Sequence, residues 1–367
     1  MPEPDFIVAP DRLALSVALE PAHNALHSLF LLTLVEKYSG LDPWVERTAA
    51  ALTPQQRDTQ RLVFEGLHYA IIPVRSWPSF PAYLDDLAAL PPTVLRDRML
   101  DAYYTLRSHK EDVPVEALPA REALLADAEL YLDFLKSGFQ HVDEALEREA
   151  HALLNDLPTM QAVILAHLRM LWEDHLAEEW ARVEPVLQEV VAAWQQPDLA
   201  RMSLQEAARR VTGQDLAEEK LAYFTRHFER IVFVPSAHIG PYQGKLMAGK
   251  AAWLFFGARL PEGVQHPSAA LSAALSRSEL LVRLNALADE ARLRILALVA
   301  EHGELCAQDL IAMLGLSQSA ASRHLTQLSA TGYLVERRKE NAKCYSLNAE
   351  RLDDTLEAVR RFLLRSR

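Results

Sequence analysis

The stretch from Cys306 to Gly332 constrains the fold of this chain more than any other. Four apolar residues recur at helical spacing in its first part, Ala307, Leu310, Ile311 and Leu314. Gly315 can adopt the left-handed conformation that ends a helix, and Ser317 is a favoured N-cap for the next one. The sequence therefore predicts two helices joined by a three-residue turn, which is the pattern of a helix-turn-helix.

The second predicted helix has two distinct faces. Ala321, Leu325 and Leu328 share one face and are expected to point inward. The opposite face is polar and contains Gln318, Ser319, Ser322, Arg323 and Thr326. In a helix-turn-helix the second helix lies in the major groove of DNA, so this polar face is the expected DNA-reading surface.

A cationic hairpin is expected directly after this helix. Tyr333–Arg337 and Lys343–Leu347 are predicted strands, and Lys339-Glu340-Asn341 is the polar turn between them. Four cations lie in this short segment, Arg337, Arg338, Lys339 and Lys343. A hairpin in this position is a wing, whose cations can contact the phosphate backbone beside the groove.

Several segments with consistent spacing resemble the ArsR/SmtB family of winged-helix transcriptional regulators. They are ADEARLRILALV, ELCAQDL, GLSQSAASRHLTQLSATGYL and the wing segment RRKENAK. The resemblance covers roughly the last quarter of the chain, from Ser278 onward. It implies a homodimeric DNA-binding protein, more often a repressor than an activator, that recognises a palindromic operator in double-stranded DNA.

The pattern and the resemblance together predict the DNA contacts. Ser317 caps the helix and is expected to meet a phosphate, while Gln318, Ser319, Ser322 and Arg323 are the candidates for base edges. His324 flanks this face and is expected to touch phosphate. The wing cations Arg337, Arg338, Lys339 and Lys343 are expected to contribute contacts that do not depend on sequence.

Two apolar stripes are candidates for the dimer interface. One lies on the first helix of the module, with Leu281 and Leu284, and the other on its last helix, with Leu352, Leu356, Val359 and Leu363. The resemblance implies that these two helices form the homodimer. A two-fold axis would then place the two DNA-reading helices in successive major grooves.

The net charge of −12 supports a division of the 367-residue chain. From Arg277 onward there are 14 Lys and Arg against 12 Asp and Glu, while the rest has 24 against 38. An acidic body with a slightly basic module suggests that the body stays off the DNA. The absence of a secretion signal or a long apolar run favours a cytoplasmic protein without a membrane segment.

The sequence predicts a mostly α (α+β) protein with three parts. Residues 1–262 form a mostly helical sensor or interaction domain with a few strands, 263–276 a linker, and 277–367 the winged module. Strands are expected at Phe6–Val8, Leu13–Leu19, Ile231–Val234 and Ala251–Phe256, and a long helix at Ala22–Tyr38. EPAHNALHSL, LWEDHLAEEW and IVFVPSAH are similar to an uncharacterised N-terminal domain of long ArsR-type regulators.

The metal sites that the resemblance implies are incomplete in this sequence. One family site needs two cysteines two residues apart, but Cys306 is followed by Gln308 in place of the second thiolate. The other uses histidine on the last helix, which has none. No metal or cofactor is therefore predicted for the module. Cys306 is interpreted as apolar packing, with a redox switch as the alternative, and Cys344 as half-buried packing in the wing.

Candidate effector residues lie in the N-terminal part. His23 and His27 are four residues apart on one predicted helix, and Trp172 and His175 belong to a second polar and aromatic group. These residues could line a small-molecule pocket or a metal site, or could be hydrogen-bonded histidines and core tryptophans. A protein-contact platform is a further alternative for this part, and a winged helix that acts mainly through protein contacts is the alternative for the module. No glycine-rich phosphate loop, GxSxG or HExxH motif is present, which argues against an enzyme.

Overall fold

The computed structural model describes residues 13–139, 141–195, 198–261, 269–339 and 342–364. The chain divides into two compact units. A helical unit consists of Glu20–Leu34 and Pro43–Arg182, and a mixed unit contains Val35–Asp42, the chain up to Leu19 and the chain from Val183 onward. The predicted strand Phe6–Val8 lies outside the described residues.

Helices make up most of the described part of the helical unit. They are α1 (Pro21–Phe30), α2 (Pro43–Ala51), α3 (Pro54–Arg61), α4 (Phe80–Ala89), α5 (Pro92–Glu111), α6 (Arg121–Ala126), α7 (Ala128–Gly138), α8 (Glu144–Asn155) and α9 (Leu157–Leu171). A further helix, α10 (Ala177–Trp194), runs from this unit into the mixed unit. Thr53 begins α3 with a capping box to Gln56, as expected before a proline at the first helical position.

The predicted long helix is interrupted in the structure, and a second break separates two shorter helices. The helix expected at Ala22–Tyr38 ends at Phe30 and continues only as the 3-10 turn Leu31–Thr33. Asp127 separates α6 from α7, because its carboxylate accepts the main-chain N–H groups of Glu129 and Leu130 and so begins a new helix. Apolar periodicity alone did not distinguish these breaks from continuous helix.

A four-stranded sheet forms the centre of the N-terminal portion of the mixed unit. Its strand order is β1 (Ala14–Val17), β2 (Arg230–Ser236), β4 (Ala251–Gly257) and β3 (Gly244–Ala248), with β3 antiparallel to β4 and the other neighbours parallel. The central strands β2 and β4 are almost entirely buried, as their apolar runs predict. Helices α11 (Leu204–Thr212) and α12 (Glu218–His227) contribute to its core.

The sequence analysis missed β3 and α12. The segment that contains β3 carries glycines and proline, and the strand is only partly buried at the edge of the sheet. Helix α12 begins without a side-chain cap. Neither element therefore has a sequence pattern strong enough to predict it.

The winged module completes the mixed unit. It contains α13 (Ala269–Leu287), α14 (Glu290–His302), β5 (Glu304–Cys306), α15 (Ala307–Leu314), α16 (Gln318–Ala330), β6 (Leu334–Lys339), β7 (Ala342–Leu347) and α17 (Ala349–Leu364). The three strands form a sheet in the order β5-β7-β6. The predicted mostly helical α+β class with a C-terminal winged helix-turn-helix is confirmed. Helix α13 begins inside the segment predicted as a linker, and the domain boundaries themselves stay a prediction.

No helix in the described part of the chain has the length and the apolar character needed to cross a bilayer.

Candidate nucleic-acid interface

Helix α16 is fixed by its apolar face. Ala321, Leu325 and Leu328 are buried, and the two leucines belong to the module's core with Ile295 and Leu310. Gly315 ends α15 with a φ of +63°, a conformation that favours glycine. The Ser317 Oγ then accepts the main-chain N–H of Ala320 at 3.2 Å. The sequence pattern and the structure agree on this turn.

The polar face of α16 is exposed in this structure. Ser317, Gln318, Ser319, Ser322 and Arg323 are all exposed, and they occupy the N-terminal half of the helix. The structure therefore brings these predicted contacts together on one accessible surface. Serine and glutamine can both donate and accept hydrogen bonds, and arginine can donate two to guanine. This set is suited to base edges in the major groove.

His324 differs from the other predicted contacts of α16. Its ring is half-buried, with Nδ1 3.8 Å from Oδ1 of Asp289, the residue that caps α14. Burial lowers the pKa of His324, although the Asp289 carboxylate acts in the opposite direction. The imidazole lies beside a carboxylate, and its contact with phosphate stays a prediction.

The wing presents its cations to solvent. Arg337, Arg338, Lys339 and Lys343 are all exposed on the hairpin formed by β6 and β7. Two of them have acidic neighbours: Lys343 Nζ lies 2.9 Å from Glu336 Oε1, and an Arg338 nitrogen lies 3.6 Å from Glu219 of α12. A phosphate must compete with these carboxylates for the two cations.

The two cysteines are bonded to each other, which the sequence analysis did not predict. Cys306 ends β5 and lies opposite Cys344 of β7, and their sulfurs form a disulfide. Cys344 is fully buried, so the interpretation of half-buried packing is wrong. The residues are 38 apart in sequence, and only the pairing of β5 with β7 brings them together. The bond links the N-terminus of α15 to the wing.

Two polar side chains join neighbouring parts of the module to α13 and α17. The Tyr333 hydroxyl lies 3.0 Å from Thr355 Oγ1 of α17 and 3.3 Å from the carbonyl oxygen of Arg283 in α13. Arg292 is buried and donates to the carbonyl oxygens of Ala286 and Asn285 at the end of α13. These bonds link α14, and the segment between α16 and β6, to α13 and α17, the helices predicted to form the dimer.

The predicted dimer residues have unequal exposure. Leu281 of α13 and Leu356 and Leu363 of α17 are 55%, 57% and 64% exposed. Leu284 and Val359 are half-buried, and Leu352 packs against the core of its own module. Apolar residues this exposed favour a partner surface, and Phe362 and Leu364 near the end of α17 are exposed as well.

The candidate effector residues of the helical unit are mostly inside it. His23 and His27 are buried on α1, and His23 Nδ1 lies 3.2 Å from Glu20 while Nε2 lies 2.9 Å from the Pro73 carbonyl oxygen. Ser76 also donates to Glu20. Glu20 has a φ of 48°, a left-handed conformation that costs energy for a residue with a Cβ. A buried carboxylate and imidazole thus lie together at the start of α1.

Trp172 and His175 lie in a π-helical turn, Trp172–Leu176, between α9 and α10. Trp172 packs on Phe80 with ring centroids 5.5 Å apart, and the main-chain carbonyl of His175 lies 3.4 Å from the indole nitrogen of Trp44. Such turns are frequent at functional sites. Across the described residues, however, no three His, Cys, Asp or Glu side chains converge as a metal site requires.

A carboxylate that the sequence analysis missed lies in the helical unit. Glu147 of α8 is half-buried, and its Oε2 accepts a hydrogen bond from the buried Tyr131 hydroxyl at 3.1 Å. Burial raises the pKa of Glu147 to about 7, and the neighbouring carboxylates Asp143 and Glu65 act in the same direction. The sequence offers no clear signal for this group, because it is one of many glutamates on the polar sides of helices.

The module matches known regulatory proteins. Residues 289–335 match the family model described as bacterial regulatory protein, arsR family. An arsenical resistance operon repressor of Staphylococcus aureus is 37% identical over 83 residues, which cover 23% of this chain and 79% of that protein. The chain belongs to the arsR family. The resemblance found in the sequence is thereby confirmed.

Two other relatives match this arsR-family chain over a shorter stretch. The arsenic resistance transcriptional regulator ArsR1 of Pseudomonas putida is 47% identical over 64 residues, covering 17% of this chain and 50% of that protein. The arsenical resistance operon repressor of Escherichia coli is 45% identical over 62 residues, covering 17% and 53%. The chain therefore spans about half the length of these relatives. No solved structure matches the chain.

Proposed function

We propose that this protein is a sequence-specific, homodimeric transcriptional regulator that acts as a repressor and whose DNA affinity is controlled through its N-terminal part. The observation that carries the proposal is the exposed face of α16, where Gln318, Ser322 and Arg323 point away from the module's core beside a cationic wing. Relatives named as operon repressors support the direction of regulation. Double-stranded DNA is the partner, and no cofactor or catalytic step is involved.

Selection of bound duplexes from a random pool by the full-length protein tests the proposal. A two-fold dimer with one α16 in each major groove requires two half-sites about 10–10.5 base pairs apart, or a multiple of this spacing. We therefore expect an enriched palindrome with that spacing. Enrichment of a single half-site would contradict the dimer, and a pool that stays random would contradict sequence-specific binding.

The wing is proposed to contact phosphates without reading sequence. Replacement of Lys339 by alanine is expected to reduce the slope of log affinity against log salt by about 0.9, the value for one lost phosphate contact. The order of preference among duplexes should stay the same, because phosphates carry no base identity. Equilibrium titrations over a salt series measure both quantities.

Lys250→Ala removes an exposed lysine from the turn after β3 and is the matched control, for which we expect an unchanged slope. A changed sequence preference in Lys339→Ala would contradict the assignment.

Dimerisation is proposed to use the exposed apolar residues of α13 and α17. Leu356→Glu places a charge on a side chain that is 57% exposed, and two-fold symmetry introduces that charge twice into one interface. Burial of a leucine contributes about 1.5–3 kcal/mol, so we expect a shift toward monomer in sedimentation at micromolar concentration. Affinity for a palindromic duplex should fall in parallel.

Leu293→Glu provides the control for this prediction. Leu293 is 51% exposed but lies on α14, outside the proposed dimer surface. Its substitution should leave the sedimentation profile unchanged. Dissociation by Leu293→Glu, or an intact Leu356→Glu dimer, would place the interface elsewhere.

The helical unit is proposed to be the sensor. The buried pair of Glu20 and His23, with His27 on the same helix, marks the start of α1, and Trp172 with His175 marks a π-helical turn. A small molecule that binds one conformation of this unit more tightly than another can shift DNA affinity. The shift cannot exceed the difference between its binding free energies for the two conformations. A protein partner is the alternative occupant, and a ligand-dependent melting shift distinguishes the two.

A further inference from the structure

The buried residue Gln327 connects α16 to a loop from much earlier in the chain. Gln327 lies one helical turn after Arg323 on α16, and it is 1% exposed. Its Oε1 accepts a hydrogen bond from Ser39 Oγ at 2.5 Å. Near the same end of α16, Gln214 donates to the carbonyl oxygen of Ala330. The C-terminal half of the DNA-reading helix is therefore held by polar contacts from outside the winged module.

The loop that holds Gln327 is itself tightly seated. The Tyr242 hydroxyl donates to the Ser39 carbonyl oxygen at 2.6 Å, and the rings of Tyr38 and Tyr242 pack edge to face at 4.7 Å. A Cβ on Gly240 would lie 2.2 Å from the Gly40 carbonyl oxygen, which shows how closely the two loops approach. This docking loop, residues 38–42, thus has a defined position against the segment that follows β2.

The docking loop is covalently continuous with the helical unit at both ends. Val35–Asp42 belongs to the mixed unit, whereas Glu20–Leu34 before it and Pro43–Arg182 after it belong to the helical unit. Helix α1, with its buried Glu20 and His23, therefore leads through one short turn into the loop that touches Gln327. A displacement of α1 or α2 must therefore change the conformation of this loop or move its contact with α16.

A contact of the wing indicates whether docking of the loop raises or lowers the affinity for DNA. Arg338 lies 3.6 Å from Glu219 of α12, so in the docked arrangement a carboxylate competes with DNA phosphate for this cation. Release of α16 from the docking loop frees the module to move its wing away from that acidic neighbour. The docked arrangement should therefore have the lower affinity for DNA.

We propose that the contact between the docking loop and Gln327 is a conformational relay, through which the helical unit sets the DNA affinity of α16. The relay rests on the proposed DNA-binding function and adds its internal route of control. Docking lowers affinity, and a change in the helical unit that withdraws residues 38–42 raises it. The relay acts through the buried side chain of Gln327, while the predicted DNA contacts of α16 are exposed in the docked arrangement.

Gly40→Ala in the full-length protein tests the relay. A Cβ at this position would lie 2.8 Å from Nε2 of Gln327, so the buried amide must shift, and the shift should weaken its hydrogen bond with Ser39. We expect affinity for the selected duplex to rise by about fivefold or more, within the usual range of coupling between sites. Hydrogen exchange of the amides at 327–331 should become faster in the same variant.

The matched control is Gly249→Ala. Gly249 also has a positive φ, +54°, but a Cβ there meets nothing within 4 Å, so it imposes the backbone strain without touching α16. Ser39→Ala, which removes only the hydroxyl, should act in the same direction as Gly40→Ala with a smaller effect. It keeps the test decisive if Gly40→Ala folds poorly.

A double-mutant cycle isolates the contact. In a Gln327→Ala background, Gly40→Ala should change affinity no more than Gly249→Ala does, because its target side chain is gone. The inference is overturned if Gly40→Ala matches the control in the wild-type background, or if its full effect persists without Gln327. A wild-type chain that selects no duplex would contradict the proposed function instead. In that case, hydrogen exchange at residues 327–331 measures the coupling between positions 40 and 327. If Gly40→Ala leaves this exchange unchanged, the relay is overturned.

Discussion

Replacement of Arg323 by alanine is expected to lower affinity for the selected duplex by about 1–3 kcal/mol and to relax the preference at one base position. Arg323 is exposed on the N-terminal half of α16, the part that enters the major groove in helix-turn-helix proteins. Its guanidinium can donate two parallel hydrogen bonds to one guanine, and alanine makes neither. Loss of the charge should also weaken binding to random duplexes, but by less.

Competition binding on a set of single-base variants of the selected duplex measures this effect. Arg294→Ala is the matched control, since Arg294 is an exposed arginine of α14 outside the predicted DNA contacts. It should leave the pattern of preferences intact. If Arg323→Ala weakened all duplexes by the same factor, Arg323 would be a phosphate contact and the assignment of base reading to α16 would fail.

Replacement of Glu147 by glutamine is expected to stabilise the helical unit by roughly 2–3 kcal/mol at pH values above 7. Burial, with Asp143 and Glu65 nearby, raises the pKa of this carboxyl from 4.5 to about 7. Below 4.5 the group is protonated in both folded and unfolded chains and contributes no difference. As the pH rises from 4.5 to 7, the unfolded chain loses the proton first, so the folded state becomes progressively less stable.

A glutamine keeps the hydrogen bond with the Tyr131 hydroxyl but cannot ionise, so it should remove this pH-dependent loss. Denaturant unfolding on both sides of the 4.5–7 window measures the difference. Glu149→Gln, at an exposed position of the same helix, should leave the pH profile unchanged. A constant difference between wild type and Glu147→Gln at every pH would show that Glu147 titrates normally.

The winged module could be predicted closely because its signals are local. The apolar spacing of α15, the left-handed Gly315, the capping Ser317 and the two faces of α16 all depend on residues within one or two turns. Each of these features appears in the structure where the sequence placed it. The exposure of Arg323 followed from the same helical periodicity.

Other features could not be predicted because they depend on long-range contacts. Cys306 and Cys344 meet only once β5 pairs with β7, and β5 is too short to have a pattern of its own. Gln327 is polar and lies between two buried leucines, and its burial depends on Ser39, 288 residues earlier. The raised pKa of Glu147 comes mainly from its burial, which no local sequence pattern indicates.

The central claim is that the exposed face of α16 and the wing bind duplex DNA. Titration of the full-length protein into a labelled duplex, over a series of salt concentrations, tests it most directly. We expect tight binding at low salt, with log affinity falling linearly against log salt by about 0.9 for each phosphate contact. Folded protein that leaves the duplex unbound at low salt, or binds it with no dependence on salt, would contradict the claim.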